Sequence, residues 1–265
     1  KLFPHLFDIW IRDYAPLTIQ EGGISLPVKF LYRPNYVQKR YDQNIKDDDR
    51  VGAILGEELI NGSTISVEFV WDMGNLTHNG AGIAIVSNKF IADNLSRNVE
   101  HELKRMLHLV CGFSKIIVVP TEPEDNTGHV DGMVRFIDEK VLVVGTYPRG
   151  STNSDFMDLL VENLSQDLGS DYTILRLMNG ACEDSQTEGI ASAFGNHMNF
   201  LRLGNKIFIP YYGQDVSKLP LDKFMNDLAF HKLGIEVVPV EISEIKDLAR
   251  LGGVLNCITW QVFHS

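Results

Sequence analysis

The feature that most constrains this chain is a pattern of two strands, a helix and a strand that recurs about every 60 residues, a period that signals a repeat architecture. Leu17–Gln20, the turn at Glu21-Gly22-Gly23 and Ile24–Val28 read as a hairpin. A helix over about Asp48 to Leu59 and the strand Ile65–Val70 complete that unit. The pattern returns at Ile83–Val86, where Asn79-Gly80-Ala81-Gly82 supplies the turn. Its helix puts Leu95, Val99, Leu103, Met106 and Val110 on one face, and its strand is Lys115–Val119. A third copy runs through Met133–Ile137 and Val141–Val144, a helix carrying Phe156, Leu159, Leu160, Leu164 and Leu168, and Tyr172–Leu177. The fourth has Asn199–Leu203 and Lys206–Pro210, a helix with Leu221, Phe224, Met225 and Leu228 on one side, and Ile235–Val240. The segment Val254–Phe263 reads as the opening of a fifth unit.

Units of this kind bury their faces against neighbours and tend to close into rings. The expectation is therefore one α/β domain over residues 1–265, a five-module propeller of ββαβ units. One module is expected to be incomplete: the residues before Asp13 are too few to supply a missing helix and strand, so either N-terminal residues are missing or the ring is open.

Composition sets the class of partner. Of 265 residues, 44% are hydrophobic, enough for a sizeable core. A net charge of −11 with no basic stripe argues against nucleic acid. It suits a cationic ligand, and equally a solvated acidic surface. No apolar run approaches the ~18 residues of a membrane span. Three cysteines, Cys111, Cys182 and Cys257, provide no disulfide framework and suggest a reducing, cytoplasmic setting. No signal peptide is visible, although the chain starts at Lys1 rather than Met. The Asn-x-Ser/Thr matches at Asn61, Asn75, Asn94 and Asn163 are common by chance. Oligomeric state is not legible.

Polar motifs fall at one position of the unit, just before or within its first hairpin. They are Trp10-Ile11-Arg12-Asp13, Asp72-Met73-Gly74-Asn75, Gly128-His129-Val130-Asp131, Gly195–Asn199 and Asn256-Cys257. In a ring of like modules these positions converge, which brings a thiol, an imidazole and carboxylates together. Cys257 is the candidate nucleophile, and Gly252 and Gly253 before it let backbone approach a ligand. His129 is the candidate general acid and base, oriented by Asp131. Asp13 and Asp131 could share a planar cation, since a guanidinium offers donors in a fixed fork. Asp72 and Asn199 are candidate ligand contacts, and Trp10 could line a cation site. Each residue also fits an ordinary role: a buried Cys, a structural His, a local Arg12–Asp13 pair, a turn Asp, a strand-end Asn, a core Trp. Zinc held by His129, Asp131 and Cys257 is a further reading, but CxxC and HExxH are both lacking. There is no phosphate loop and no GxGxxG, so no cofactor is expected.

Taken together the five motifs resemble the agmatine deiminase and bacterial-type peptidylarginine deiminase family of guanidine-modifying pentein enzymes. The resemblance spans almost the whole chain and includes Pro16 and Phe200. It implies the five-module α/β propeller, and it implies roles. Asp13 and Asp131 would hold the guanidinium, Cys257 would attack its central carbon, and His129 would protonate the departing ammonia and then activate water. The product would be a ureido compound, and Trp10, Asp72, Asn75, Asn199 and Gly253 would contact substrate. An amidinotransferase using the same cysteine intermediate, or a guanidinium-binding module without turnover, are the competing readings. The chain departs from the family pattern in three respects. Asp72-Met73-Gly74 stands where Glu-Gly-Gly is usual in a loop that contacts substrate, His197 replaces a Tyr, and the first module fragment is absent.

Overall fold

A computed structural model describes residues 8–36, 43–60, 64–94, 98–151, 153–180, 186–187 and 189–262. A short helix, α1 (Ile11–Tyr14), precedes the first unit. That unit pairs β1 (Leu17–Glu21) with β2 (Ile24–Leu31) as a hairpin, then passes through α2 (Gln43–Ile60) to β3 (Ile65–Val70), which lies parallel to β2. The second has β4 (Thr77–His78), β5 (Ile83–Ser87), α3 (Lys89–Asp93), α4 (Val99–Cys111) and β6 (Lys115–Val119), with the same antiparallel–parallel order. The third repeats it with β7 (Val134–Asp138), β8 (Val141–Thr146), α5 (Ser154–Leu168) and β9 (Thr173–Met178). A two-stranded ribbon, β10 (Gln186–Thr187) and β11 (Ile190–Ala191), leads to the fourth: β12 (Leu201–Leu203), β13 (Lys206–Pro210), α6 (Leu219–Phe230) and β14 (Glu236–Val240). Helix α7 (Ile245–Arg250), which the periodicity did not suggest, follows.

Each sheet is too small to make a core alone, and the packing shows how this is solved. The middle strand β5 is buried along its whole length and β8 over all but its last residue, so both faces of each meet neighbours. Ala84 and Val86 pack with Val28 and Phe30 of the first unit and with Leu103 and Leu107 of α4. Ile83 and Ile85, on the opposite face, pack with Val134, Phe136, Leu142 and Leu160 of the third unit. Ile137, Val143 and Leu177 in turn share a cluster with Ile207, Ile209 and Phe224 of the fourth. The hydrophobic core is therefore a series of inter-unit seams, as the repeat predicts.

Several details differ from the sequence reading. Leu159 is 56% exposed and Met225 38% exposed. In α5 the buried stripe is Met157, Leu160, Leu164 and Leu168, so the apolar face is centred one residue away from Leu159. The segment after Val254 forms turns, with Ile258 N–H donating to Val254 O and Thr259 N–H to Asn256 O, and no strand forms among its described residues. It is held by Trp260, whose indole N–H donates to Pro16 O at 2.8 Å. The described residues form four three-stranded sheets and the two-stranded ribbon β10–β11, which are small and do not merge into a closed barrel. Leu95 and Cys182 lie outside the described residues.

Candidate functional site

The polar motifs sit on short turns that pack together at one end of their units. Helix α1 contacts the 3₁₀ turn Met73–Asn75, and that turn contacts the 3₁₀ turn Val130–Gly132. Gly74 makes the approach possible. A Cβ on it would lie 2.6 Å from His129 Nδ1 and 2.7 Å from Asp13 Oδ1, closer than any side chain tolerates. Gly253 serves the nucleophile in the same way, because its Cβ would sit 2.9 Å from Cys257 Cβ and 2.7 Å from the Trp10 ring.

His129 lies between two carboxylates. Its Nδ1 is 3.7 Å from Asp13 Oδ1 and its Nε2 is 3.5 Å from Asp72 Oδ2, with the Tyr36 ring edge-on at 5.9 Å. Burial opposes its charge, but Asp13 and Asp72 outweigh burial and raise its pKa to about 10. The ring is an imidazolium at neutral pH. Asp13 is 5% exposed and its pKa is raised to about 7, chiefly by burial, with His129 pulling it down and Asp72 and Asp131 pushing it up. Its Oδ1 is buried without a hydrogen-bond partner. Asp131 Oδ2 accepts from Asn256 Nδ2 at 2.6 Å.

Cys257 is buried and its thiol is held by Asn199, whose Nδ2 lies 2.9 Å from Sγ. The same amide accepts from Asn256 N–H at 2.8 Å and Cys257 N–H at 3.3 Å through Oδ1, so one side chain fixes both sulfur and backbone. Burial pushes the thiol pKa up, Asp131 and Asp13 push it further, and the Asn199 hydrogen bond opposes them.

A cavity of about 350 Å³ opens onto this group, lined by His129, Asp131, Asn199, Gly252 and Cys257. Much of its remaining wall is acidic: Glu122, Glu124 and Asp125, with Tyr147 and Asn153. Glu122 accepts from Asn153 Nδ2 at 2.7 Å, and burial raises its pKa to about 7. Asp13 and Asp72 stand behind this lining against His129, and Gly253 lies between Cys257 and the Trp10 ring. Asn75 is turned elsewhere. Its Oδ1 accepts from Ser87 N–H at 2.8 Å and its Nδ2 approaches Ser87 O at 3.4 Å, so its amide anchors β5 to the turn instead of reaching the cavity. Met73 packs in the apolar seam with Val28, Trp71 and Leu76. The bulk that distinguishes Asp72-Met73-Gly74 thus faces core. Among the described residues no group of three His, Cys, Asp or Glu side chains is arranged to hold a metal ion.

Comparison with known proteins bears on this constellation. The model of the Porphyromonas-type peptidyl-arginine deiminase family matches residues 3–262. The chain belongs to that family. A search of curated protein sequences finds no match. Among solved structures, a C. jejuni agmatine deiminase superposes with a TM-score of 0.75 at 20% identity, covering 94% of this chain and 71% of that one. An agmatine deiminase of Enterococcus faecalis gives 0.71 at 19%, covering 94% and 73%. A dimethylarginine dimethylaminohydrolase gives 0.53 at 12%, covering 96% and 78%. These likenesses establish a shared α/β fold.

Sequence reasoning missed several groups in this family member. Asn256 holds Asp131, Tyr36 faces His129, and Glu122 with Tyr147 and Asn153 shapes the cavity. Asn256 adjoins Cys257 in the motif and was within reach of a sequence argument. Glu122, Tyr147 and Asn153 lie in connecting segments without a motif. Arg12, read as a local partner of Asp13, donates its Nε to Asn256 O at 3.3 Å.

Proposed function

We propose that this chain is a guanidine deiminase, hydrolysing agmatine or an arginine derivative to a ureido product and ammonia. The observation that carries this reading is one cavity lined by Cys257, His129 and Asp131, with a buried Asp13 oxygen behind it that lacks a donor. Buried acceptors without partners are costly, and a guanidinium supplies the missing N–H groups together with positive charge. Asp13 and Asp131 hold the cation. Cys257 loses its S–H proton to water, and the thiolate attacks the guanidinium carbon and forms a C–S bond, giving a tetrahedral adduct. The C–N bond then breaks, and ammonia leaves with a proton from His129. The neutral imidazole takes a proton from water, which adds to the thiouronium carbon. The C–S bond breaks and the ureido product leaves.

The cavity wall favours an amine at the substrate's other end. Its described lining residues include Glu122, Glu124 and Asp125 and no Lys or Arg, which suits agmatine better than the carboxylate of free arginine. We also infer that the four units and the C-terminal segment occupy five positions around one axis, supported by the contacts linking α1, the two 3₁₀ turns and Asn256. A reducing compartment fits the free Cys111 and Cys257.

Ammonia and ureido product are measured for the parent and for Cys257→Ala across agmatine, arginine and arginyl peptides. Release by the parent alone supports the reading. Silence across the panel from folded parent rejects it, and product that appears only with added amine indicates amidine transfer.

A further inference from the structure

The loop after β2 brings Asn35 and Tyr36 beside His129, and the chemistry above uses neither. The Tyr36 ring meets the His129 ring edge-on, with centroids 5.9 Å apart and planes at 86°. Its hydroxyl donates to Asp72, one of the two carboxylates that flank the imidazole. Lys89 of α3 places Nζ 5.9 Å from the Tyr36 centroid, within range of a cation–π contact. Asn35 is fixed at both ends of its amide. Nδ2 donates to Asp93 Oδ1 at 2.6 Å, and Oδ1 accepts from Lys89 Nζ at 2.7 Å. Lys89 Nζ and Asp93 Oδ1 close the triangle at 2.6 Å, with side chains only 16% and 13% exposed.

Lys89 also touches the turn that carries the imidazole. Its stem packs on Gly128, where a Cβ would lie 2.9 Å from Lys89 Cβ and 3.0 Å from its Cγ. Its backbone N–H donates to Ser87 Oγ at 3.3 Å, and that hydroxyl donates to Gly128 O at 2.6 Å. Lys89 and Asp93 line one narrow cleft with Asp72 and His129. One lysine thus holds both the residue before His129 and the loop that lays a ring against it. The imidazole needs such support. At 3.7 Å from Asp13 and 3.5 Å from Asp72, its nitrogens are too far from the carboxylates for strong hydrogen bonds to set the tilt of the ring.

We propose that Asn35 and Tyr36 form a fixed strap, anchored by Lys89 and Asp93, that holds the His129 ring in place between Asp13 and Asp72. Tyr36 is a positioning residue, and Asn35 acts through it. This rests on the role given to His129 in the deiminase reading, but its test needs no turnover.

The groups facing His129 are Asp13 from α1, Asp72 before the Met73–Asn75 turn, Asp131 from its own turn and Tyr36, with the Lys89–Asp93 pair along the cleft. Burial pushes the Tyr36 phenol well up, so it is neutral, and neither Asn35→Ala nor Tyr36→Ala removes a charge. Opening the strap admits water, which weakens both the burial that opposes the imidazolium and the carboxylates that favour it. The carboxylates dominate, so the titration midpoint of His129 moves down from about 10 toward its ordinary value.

The imidazole is titrated by NMR in the parent, Asn35→Ala, Tyr36→Ala and the double variant. Its resonance is assigned by its loss in His129→Gln, and folding is checked by circular dichroism. The midpoint is expected to fall by about one pH unit in Tyr36→Ala and about half a unit in Asn35→Ala. The double variant is expected to match Tyr36→Ala, because Asn35 then has nothing to act through. An unmoved or raised midpoint in folded Tyr36→Ala overturns the proposal, as does an additive shift in the double variant. If Tyr36→Ala does not fold, Asn35→Ala, which alters an exposed side chain, decides in the same way. Should the parent turn over no guanidine while the midpoints shift as expected, the deiminase reading fails and the strap stands.

Discussion

At the scale of residues, the site is defined by a surplus of negative charge that, among the described lining residues, His129 alone opposes. This makes ligand binding depend on pH in a direction that can be worked out. Asp13 titrates near pH 7 because it is buried beside Asp72 and Asp131. Below that pH it carries a proton that a guanidinium must displace. Affinity of Cys257→Ala for agmatine, measured by calorimetry, is therefore expected to rise from about pH 5 to about 8 and to bend near 7, with up to one proton released per ligand. A flat profile would remove Asp13 from the contact. His129 has the opposite linkage. Its raised pKa gives stability that is fully present below about 6.5 and lost as pH climbs through about 10. Gly74→Ala tests the geometry. Its Cβ would occupy the space between His129 and Asp13, so turnover is expected to fall at least about a hundredfold while the circular dichroism spectrum is retained. Activity near parental would show that the His129–Asp13 approach is dispensable. The sequence made Cys257, His129, Asp13 and Asp131 legible because each sits in a motif. It misjudged Asn75 because a motif position does not reveal where an amide points, and here both its polar ends meet Ser87.

At the scale of elements, alternation and helical period identified the hairpins and helices, since each unit exposes one face of its helix. They failed where burial depends on a neighbouring unit. Both Leu159 and Leu160 suit the α5 pattern, but only Leu160 enters the seam with β5 and β8. Leu160→Ala is expected to lower unfolding free energy by about 2–5 kcal/mol, and Leu159→Ala by less than about 0.5 kcal/mol. Denaturant melts of the two variants check this, and equal losses would move the seam. His197, which replaces an expected Tyr, shows another limit of pattern reading. It is buried, with Nδ1–H donating to Met178 O at 2.9 Å and Nε2 paired with Ser217 Oγ at 3.0 Å. Burial lowers its pKa to about 4, so the unfolded chain binds its proton first and stability is expected to climb between about pH 4 and 6.5. That slope should vanish from thermal melts of His197→Gln, which keeps a neutral polar side chain; a slope that persists would assign it to other groups.

At the scale of the whole molecule, inter-unit seams explain how a chain of small sheets becomes one body. They also explain why the segment after Val254 forms turns instead of the strand its composition suggests. Val254–Phe263 has strand-like composition, yet its role is to carry Cys257 and to lock onto Pro16 and Asn199 through Trp260 and Asn256. Those contacts reach residues 57 to 244 positions away, and no local pattern encodes them. The net charge of −11 acts over the same scale. With Glu122, Glu124 and Asp125 on the cavity wall, the field draws cations toward Cys257. Salt screens such a field, the Debye length shrinking from ~30 Å at ~0.01 M to ~8 Å at ~0.15 M. For agmatine, kcat/KM is therefore expected to fall several-fold over that range while kcat changes little. For free arginine, whose carboxylate cancels one charge, the fall should be smaller. Steady-state kinetics at the two ionic strengths decide the point. Equal salt dependence for both substrates would mean that the acidic wall contributes nothing to choosing between them.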